Sequence, residues 1–309
     1  MVLNPLYLGV IYVIVSAVGF GVMSIFAVYA YGAGASVSSL LFLRFLLAAV
    51  LFFGLMLLRR ESLGINKKQL LSLILLGGVL YTLQSLSFFS AVQYIPTSLA
   101  GLVLYTFPVF VALLSFFVDK EVLRLKTVAA MLLSLLGLGL VLGLSFGGIQ
   151  PLGVVLAFAA ALFYSVYIVV GNRVGKGLSP YVTSGYIALF ASCSSFVVAQ
   201  VDGGVDLSFL AQGWWALAGI VVFSTVMAIS CFFRGLQLIG STKASVISMV
   251  EPVVTILFSA VLFGELLGGL QWIGACAVIV GAVLIVLGKQ ETQEKPLETQ
   301  YETVTVRGE

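Results

Sequence analysis

The stretch SMVEPVVTILFSAVLFGE, residues 248–265, decides the reading of this chain, together with its earlier echo LYTFPVFVALLSFFVDKE, residues 104–121. Each is an apolar run of helix length with a proline inside it, Pro252 or Pro108, and a glutamate closing it. Only the later copy places a second carboxylate, Glu251, directly before the proline. The two copies stand 144 residues apart, which points to a duplicated membrane protein.

Around these copies the chain is equally apolar. Of its 309 residues 61% are hydrophobic and 9% charged, against roughly 25% charged in soluble domains. A helix needs about 20 apolar residues to cross a hydrocarbon core of about 30 Å. Ten such runs can be counted, at about 8–30, 36–58, 69–91, 97–118, 126–144, 152–171, 181–200, 214–238, 243–263 and 269–288. Unbroken runs of this length exclude a β-barrel, whose strands alternate in short segments. The expectation is an all-α integral membrane protein of ten transmembrane helices, with no separate soluble domain.

The net charge of +3 says less than its placement. Arg59, Arg60, Lys67, Lys68, Lys120, Arg124, Lys126, Arg173, Lys176 and Lys243 fall in alternate loops, while Asp202, Asp206 and Glu265 occupy the others. Basic loops face the cytoplasm, so both termini are expected there, in a multi-pass protein of the inner or plasma membrane. The basic residues are read as a topology signal and not as a nucleic-acid surface. Arg234 is read the same way, as an anchor at the cytoplasmic end of its span. The first span carries neither a basic region before it nor a cleavage site after it, so it is expected to stay as a helix.

Cys193, Cys231 and Cys276 are widely spaced inside apolar runs and fit neither a disulfide frame nor a metal site. The sequence has no histidine, which removes imidazole nucleophile partners, the common zinc arrangements and imidazole proton relays. No cofactor or metal is expected, and an intramembrane enzyme is disfavoured.

The duplication holds a constant register. At the offset of 144, Leu8-Gly9-Val10 meets Leu152-Gly153-Val154, Phe88-Phe89 meets Phe232-Phe233, Pro108 meets Pro252, Glu121 meets Glu265 and Gly137 meets Gly281. Five spans in each half place the halves in opposite orientations, the inverted-repeat plan of many secondary transporters. The units expected are residues 8–144 and 152–288, followed by a disordered cytoplasmic tail at 289–309.

On the two proline motifs, and on LQWIGACAVIVGAVLIV after the second, the chain resembles the EamA-type carriers of the drug/metabolite transporter superfamily over about residues 8–288. The resemblance implies two five-helix repeats that move a small metabolite, often by export of amino acids or related compounds, without an ATP-binding domain. It also implies packing or homodimer contacts for the last helix of each repeat, where Gly137, Gly139, Gly274 and Gly281 lie. The unlike residues before the two prolines, Phe107 and Glu251, mean that the halves contribute unequally to any site.

A charge at the bilayer centre costs roughly 2.5–3.5 kcal/mol on insertion scales and faces a cavity or a partner. Arg44 and Glu251 are the two clear midspan charges. Ser248, Glu251 and Thr255 share a helical face, and Pro252 is expected to free the carbonyl of Ser248 beside the carboxylate. That stripe is the leading candidate for a substrate or proton site, against the alternative of an Arg44–Glu251 ion pair. Arg44 could equally snorkel to the interface. Tyr81, Gln84 and Phe88 share a second face, as do Gly101, Tyr105 and Pro108, and Tyr164 and Tyr167 complete an aromatic wall with Phe20. Glu121 reads as a loop or helix-start residue and not as a ligand.

The function expected is a secondary transporter working by alternating access, with the bilayer and a small molecule as partners and protons as a candidate coupling ion. The aromatic wall suggests an apolar or aromatic amino-acid-like substrate. A passive facilitator or channel-like uniporter of the same fold, or a multidrug or nucleoside exporter, stays open as an alternative.

Overall fold

The computed structural model describes residues 4–91, 93–121, 123–143, 150–264 and 267–287. Among these, every regular element is a helix, and ten helices are long and apolar enough to cross a membrane. The spans run Pro5–Gly32, Val37–Leu58, Lys67–Phe88, Leu99–Asp119, Leu125–Leu142, Pro151–Gly175, Pro180–Val201, Ala211–Ile239, Ser241–Leu262 and Gly269–Leu287. Large apolar side chains such as Leu136, Val201, Trp215 and Val261 are exposed on the outer faces, where only lipid would accept them. Glu265 and the tail expected at 289–309 lie outside the described residues.

The spans pair in a pattern that survives exchange of the two halves. The first packs along the eighth and the sixth along the third; the second packs on the seventh and the fifth on the tenth. The fourth lies against the sixth, as the ninth lies against the first.

One of the seams needs no bulky side chains. Where the fifth and tenth spans cross, a Cβ on Gly137 would stand 2.7 Å from the carbonyl oxygen of Gly274, and a Cβ on Gly281 would meet the Ser134 hydroxyl and stand 2.8 Å from the carbonyl oxygen of Ala130. The helices therefore touch backbone to backbone, as small residues permit in membranes. Gly139 points elsewhere, with Leu102 Cδ1 at 4.0 Å as its nearest neighbour. These glycines form a seam within the chain.

Several spans are not continuous α-helices, which hydropathy alone does not reveal. The fourth breaks at Tyr105–Thr106, before the helix Phe107–Asp119, and the ninth at Met249–Val250, before the helix Glu251–Phe263. The breaks obey the offset of 144. In each, the proline occupies the first turn of the new segment, where its missing N–H costs nothing and its fixed φ suits the helix. The break expected at Pro252 is therefore a restart of the helix at Glu251. Both segments end in a left-handed residue, Lys120 (φ 56°) and Gly264 (φ 68°), again at equivalent positions. The third and eighth spans carry π-helical turns, Leu75–Leu80 and Val222–Met227.

At the end bearing the basic loops, the spans are stitched by polar contacts. Arg173 Nε donates to Asp119 Oδ1 at 2.8 Å, and Thr242 Oγ1 donates to Glu121 Oε2 at 2.5 Å. The Ser179 hydroxyl donates to Glu61. At the opposite end the loop before the eighth span is pinned by Asp206 N–H to Ser39 Oγ at 2.8 Å and by Leu210 N–H to Ala33 O at 3.0 Å.

Gly274→Ala should lower the thermal midpoint of the detergent-purified protein by the equivalent of about 1–3 kcal/mol, since the added methyl meets backbone. Gly139→Ala should leave it unchanged or raise it slightly. Equal midpoints for the two variants would show that the seam is looser than its geometry.

Candidate functional site

The half-span breaks frame a cavity of about 430 Å³ at the centre of the bundle. Its walls come from the first, second, third, fourth, sixth, eighth and ninth spans. Glu251 enters it as the first residue of a helix segment, where the unpaired backbone N–H groups of the first turn favour a negative charge. Arg44 reaches it from the second span and is only 3% exposed.

Among the described residues Arg44 and Glu251 are not in ion-pair contact. Arg44 instead lays Nε on Thr225 Oγ1 at 2.7 Å and Nη2 toward Ser224 O at 3.4 Å, with its guanidinium carbon 4.8 Å from the centre of the Phe45 ring. Thr225 in turn donates to Ile220 O, five residues back, at 2.9 Å, within the π-helical stretch of the eighth span. The guanidinium is thus held by the π turn and does not snorkel to the interface. Having five N–H donors, it keeps others for the cavity. Glu251 faces the hydroxyl of Tyr105, which stands close enough to donate to the carboxyl, and Tyr164 lies nearby.

The candidates from sequence separate as follows. Glu251, Arg44, Tyr81, Gln84, Tyr105, Tyr164 and Thr255 all line the cavity, as do Gly101, Phe88, Phe20 and Tyr167. Ser248 does not: it lies behind the break, buried, with its hydroxyl donating to Ser245 O at 2.8 Å. Pro108 and Pro252 are buried in their first turns and set the direction of the chain. The hydroxyl of Thr255 is committed to Gly21 O at 2.9 Å, tying the ninth span to the first where the first is interrupted at Val22. Glu121, bonded to Thr242, is not among the cavity walls.

Other wall residues were not singled out from sequence. Tyr31, Ser24 and Ser85 carry polar groups to the cavity, and Met23 and Ile229 fill its apolar sides. No local pattern announces them. The offset of 144 does link several walls: Phe20 with Tyr164, Met23 with Tyr167, Ser85 with Ile229, Phe88 with Phe232 and Phe107 with Glu251. The aromatic rings interlock, with Phe107 edge-on to Tyr164 at 4.7 Å and Tyr81 edge-on to Phe45 at 5.0 Å.

A ten-span bundle with a central cavity holding a few polar groups between apolar walls has the form of a membrane transporter. The sequence profile of the EamA-like transporter family matches residues 7–143 and again 151–287, and the chain belongs to that family. Among its relatives is an uncharacterized transporter of Archaeoglobus fulgidus, 29% identical over 277 residues that cover 88% of this chain and 94% of the other. The uncharacterized transporter YcbK of Bacillus subtilis is 26% identical over 87% of this chain and 90% of its own. The uncharacterized inner membrane transporter YedA of Escherichia coli K12 is 25% identical over 82% and 83%. A solved crystal structure matches with a TM-score of 0.76 at 22% identity, covering 90% of this chain and 96% of the other, a likeness of fold.

Thr225→Val keeps the shape of the side chain and removes the acceptor of the buried Nε. It should cost about 1.5–3 kcal/mol, the range for a hydrogen bond to a charged group, read as a lower thermal midpoint in detergent. An unchanged midpoint would mean that the guanidinium finds an equivalent acceptor in the cavity.

Proposed function

We propose that the protein is a secondary carrier that moves a small zwitterionic metabolite, an amino acid or close relative with an apolar or aromatic side chain, across the cell membrane. The observation that carries this reading is the pair of opposite charges, Arg44 and Glu251, facing one cavity without neutralising each other. A zwitterion completes both: its carboxylate meets the spare guanidinium donors, and its ammonium meets the carboxyl beside Tyr105. The rings of Tyr81, Phe107, Tyr164 and Tyr167 offer the side chain an apolar berth. At about 430 Å³ the cavity sits toward the small end of ligand sites, which run from about 300 to 1,000 Å³.

The transport cycle in this reading is alternating access. Residues 8–144 and 152–288 act as two inverted units, and five pairs of equivalent residues lining one cavity support an axis that passes through it. The basic loops and both termini face the cytoplasm, and the direction is export. Glu251 serves the ammonium when ionised and carries a proton on the return, so that protons are the coupling ion. A charged, empty carboxylate within the bilayer is costly, which supports a protonated return step.

The test is flux in proteoliposomes with labelled phenylalanine, leucine and related amino acids, with and without a pH gradient. Saturable uptake that is accelerated by the same compound on the far side establishes a carrier; linear flux without that acceleration makes it a passive facilitator. Glu251→Gln should lower kcat/KM by about ten- to a hundredfold, the equivalent of about 1.5–3 kcal/mol for one charged hydrogen bond, and abolish the response to pH. Arg44→Gln should lower kcat/KM to a similar degree while keeping that response. If Glu251→Gln transports as the parent does at every pH, the coupling role is wrong.

A further inference from the structure

The central cavity has a neighbour across Tyr81. A second hollow of about 110 Å³ shares Leu41, Tyr81 and Ser85 with it and opens between the second, third and seventh spans. Five hydroxyl side chains, Ser38, Tyr81, Thr82, Ser85 and Ser195, and one carboxylate, Asp202, line it together with apolar residues. Among the described residues no lysine or arginine lines it.

The hydroxyls nearest the seventh span are partly committed. Thr82 Oγ1 donates to Ser194 Oγ at 2.6 Å, and Ser194 donates to Ala191 O at 3.0 Å. Asp202 differs: it is exposed at the end of its span, and among the described residues no hydrogen bond or ion pair engages its carboxylate. Its neighbour Asp206 offers the contrast. There the Ser208 hydroxyl and N–H, at 2.6 and 2.8 Å, hold the carboxyl below the usual carboxylate range and fix it in the loop. Asp206 has a structural duty, whereas Asp202 has charge to spare beside the hollow.

We propose that this hollow is a vestibule subsite for organic ammonium groups at the end opposite the basic loops, with Asp202 as the countercharge and the helical turn Tyr81–Ser85 as the step between it and the central cavity. Oxygen lone pairs and one carboxylate attract an ammonium and repel a carboxylate. The hollow is far smaller than the roughly 300 Å³ at which whole-ligand sites begin, so it takes a headgroup and not an entire metabolite. The handover to Glu251 rests on the carrier reading above; the preference for cations does not.

The experiment reads that preference directly. In a variant free of Cys193, Cys231 and Cys276, Ser195→Cys is exposed in proteoliposomes to cationic trimethylammonioethyl methanethiosulfonate and to anionic sulfonatoethyl methanethiosulfonate. The cationic reagent should react faster relative to its intrinsic rate, and adding Asp202→Asn should shrink the cation-to-anion ratio about two- to fourfold, as loss of one charge about two helical turns, roughly 10 Å, away predicts. A ratio indifferent to Asp202→Asn overturns the proposal, and so does failure of both reagents to label, since the hollow would then be closed to water. Ser38→Cys on the facing span repeats the measurement, and a monodisperse elution profile guards against misfolding. Under the carrier reading, Asp202→Asn also raises KM for an ammonium-bearing substrate loaded from that side while leaving kcat unchanged. If the transported compound proves to lack an ammonium, the reagent ratio still decides the subsite.

Discussion

Inside a bilayer a peptide group that leaves its helix finds no water, and an unsatisfied backbone group there costs several kcal/mol. The broken spans of this protein exist because neighbouring hydroxyls meet that demand. Thr106 Oγ1 donates back to Val103 O at 2.7 Å, and Ser165 on the sixth span donates to Phe107 O at 3.1 Å. Thr255 and Ser24 both donate to Gly21 O where the first span is interrupted. With the breaks secured, helix ends can face the middle of the protein, and a cavity with polar character forms where a continuous helix would present only side chains.

The frame repeats, but its chemistry does not. Position 107 is phenylalanine and its equivalent is Glu251; Tyr81 has Thr225 as its counterpart; Arg44 has Ala188. One half thus supplies the cavity's cation and the other its carboxylate. The Arg44–Thr225 hydrogen bond crosses between the halves, and it lands on a π turn whose altered register presents both a hydroxyl and a backbone carbonyl to the same guanidinium. Such turns recur at functional positions because they redirect groups that an α-helix would keep occupied.

The sequence makes the ten helices legible, because hydrophobicity over about 20 residues is what a membrane demands of a helix. It also marks Glu251 and Arg44, since charge is rare in such runs. The errors are local. Pro252 announces a break, but its position fixes the start of a segment and not the face its neighbours present, so Ser248 turns out to lie behind the break. The π turns are silent in the sequence, because hydropathy carries no information about hydrogen-bond register. The partner of Arg44 lies 181 residues away, and the pocket at Asp202 is assembled from three spans; only folding brings these groups together.

The crossing of the fifth and tenth spans also carries a mechanical meaning. Where glycine faces a peptide group few side chains intervene that could change rotamers, and sliding would drive methyl groups and carbonyl oxygens into one another. A joint of this kind resists shear and tolerates a change of angle. Any rearrangement elsewhere in the bundle would meet least resistance as rotation about this line, as a book opens along its spine.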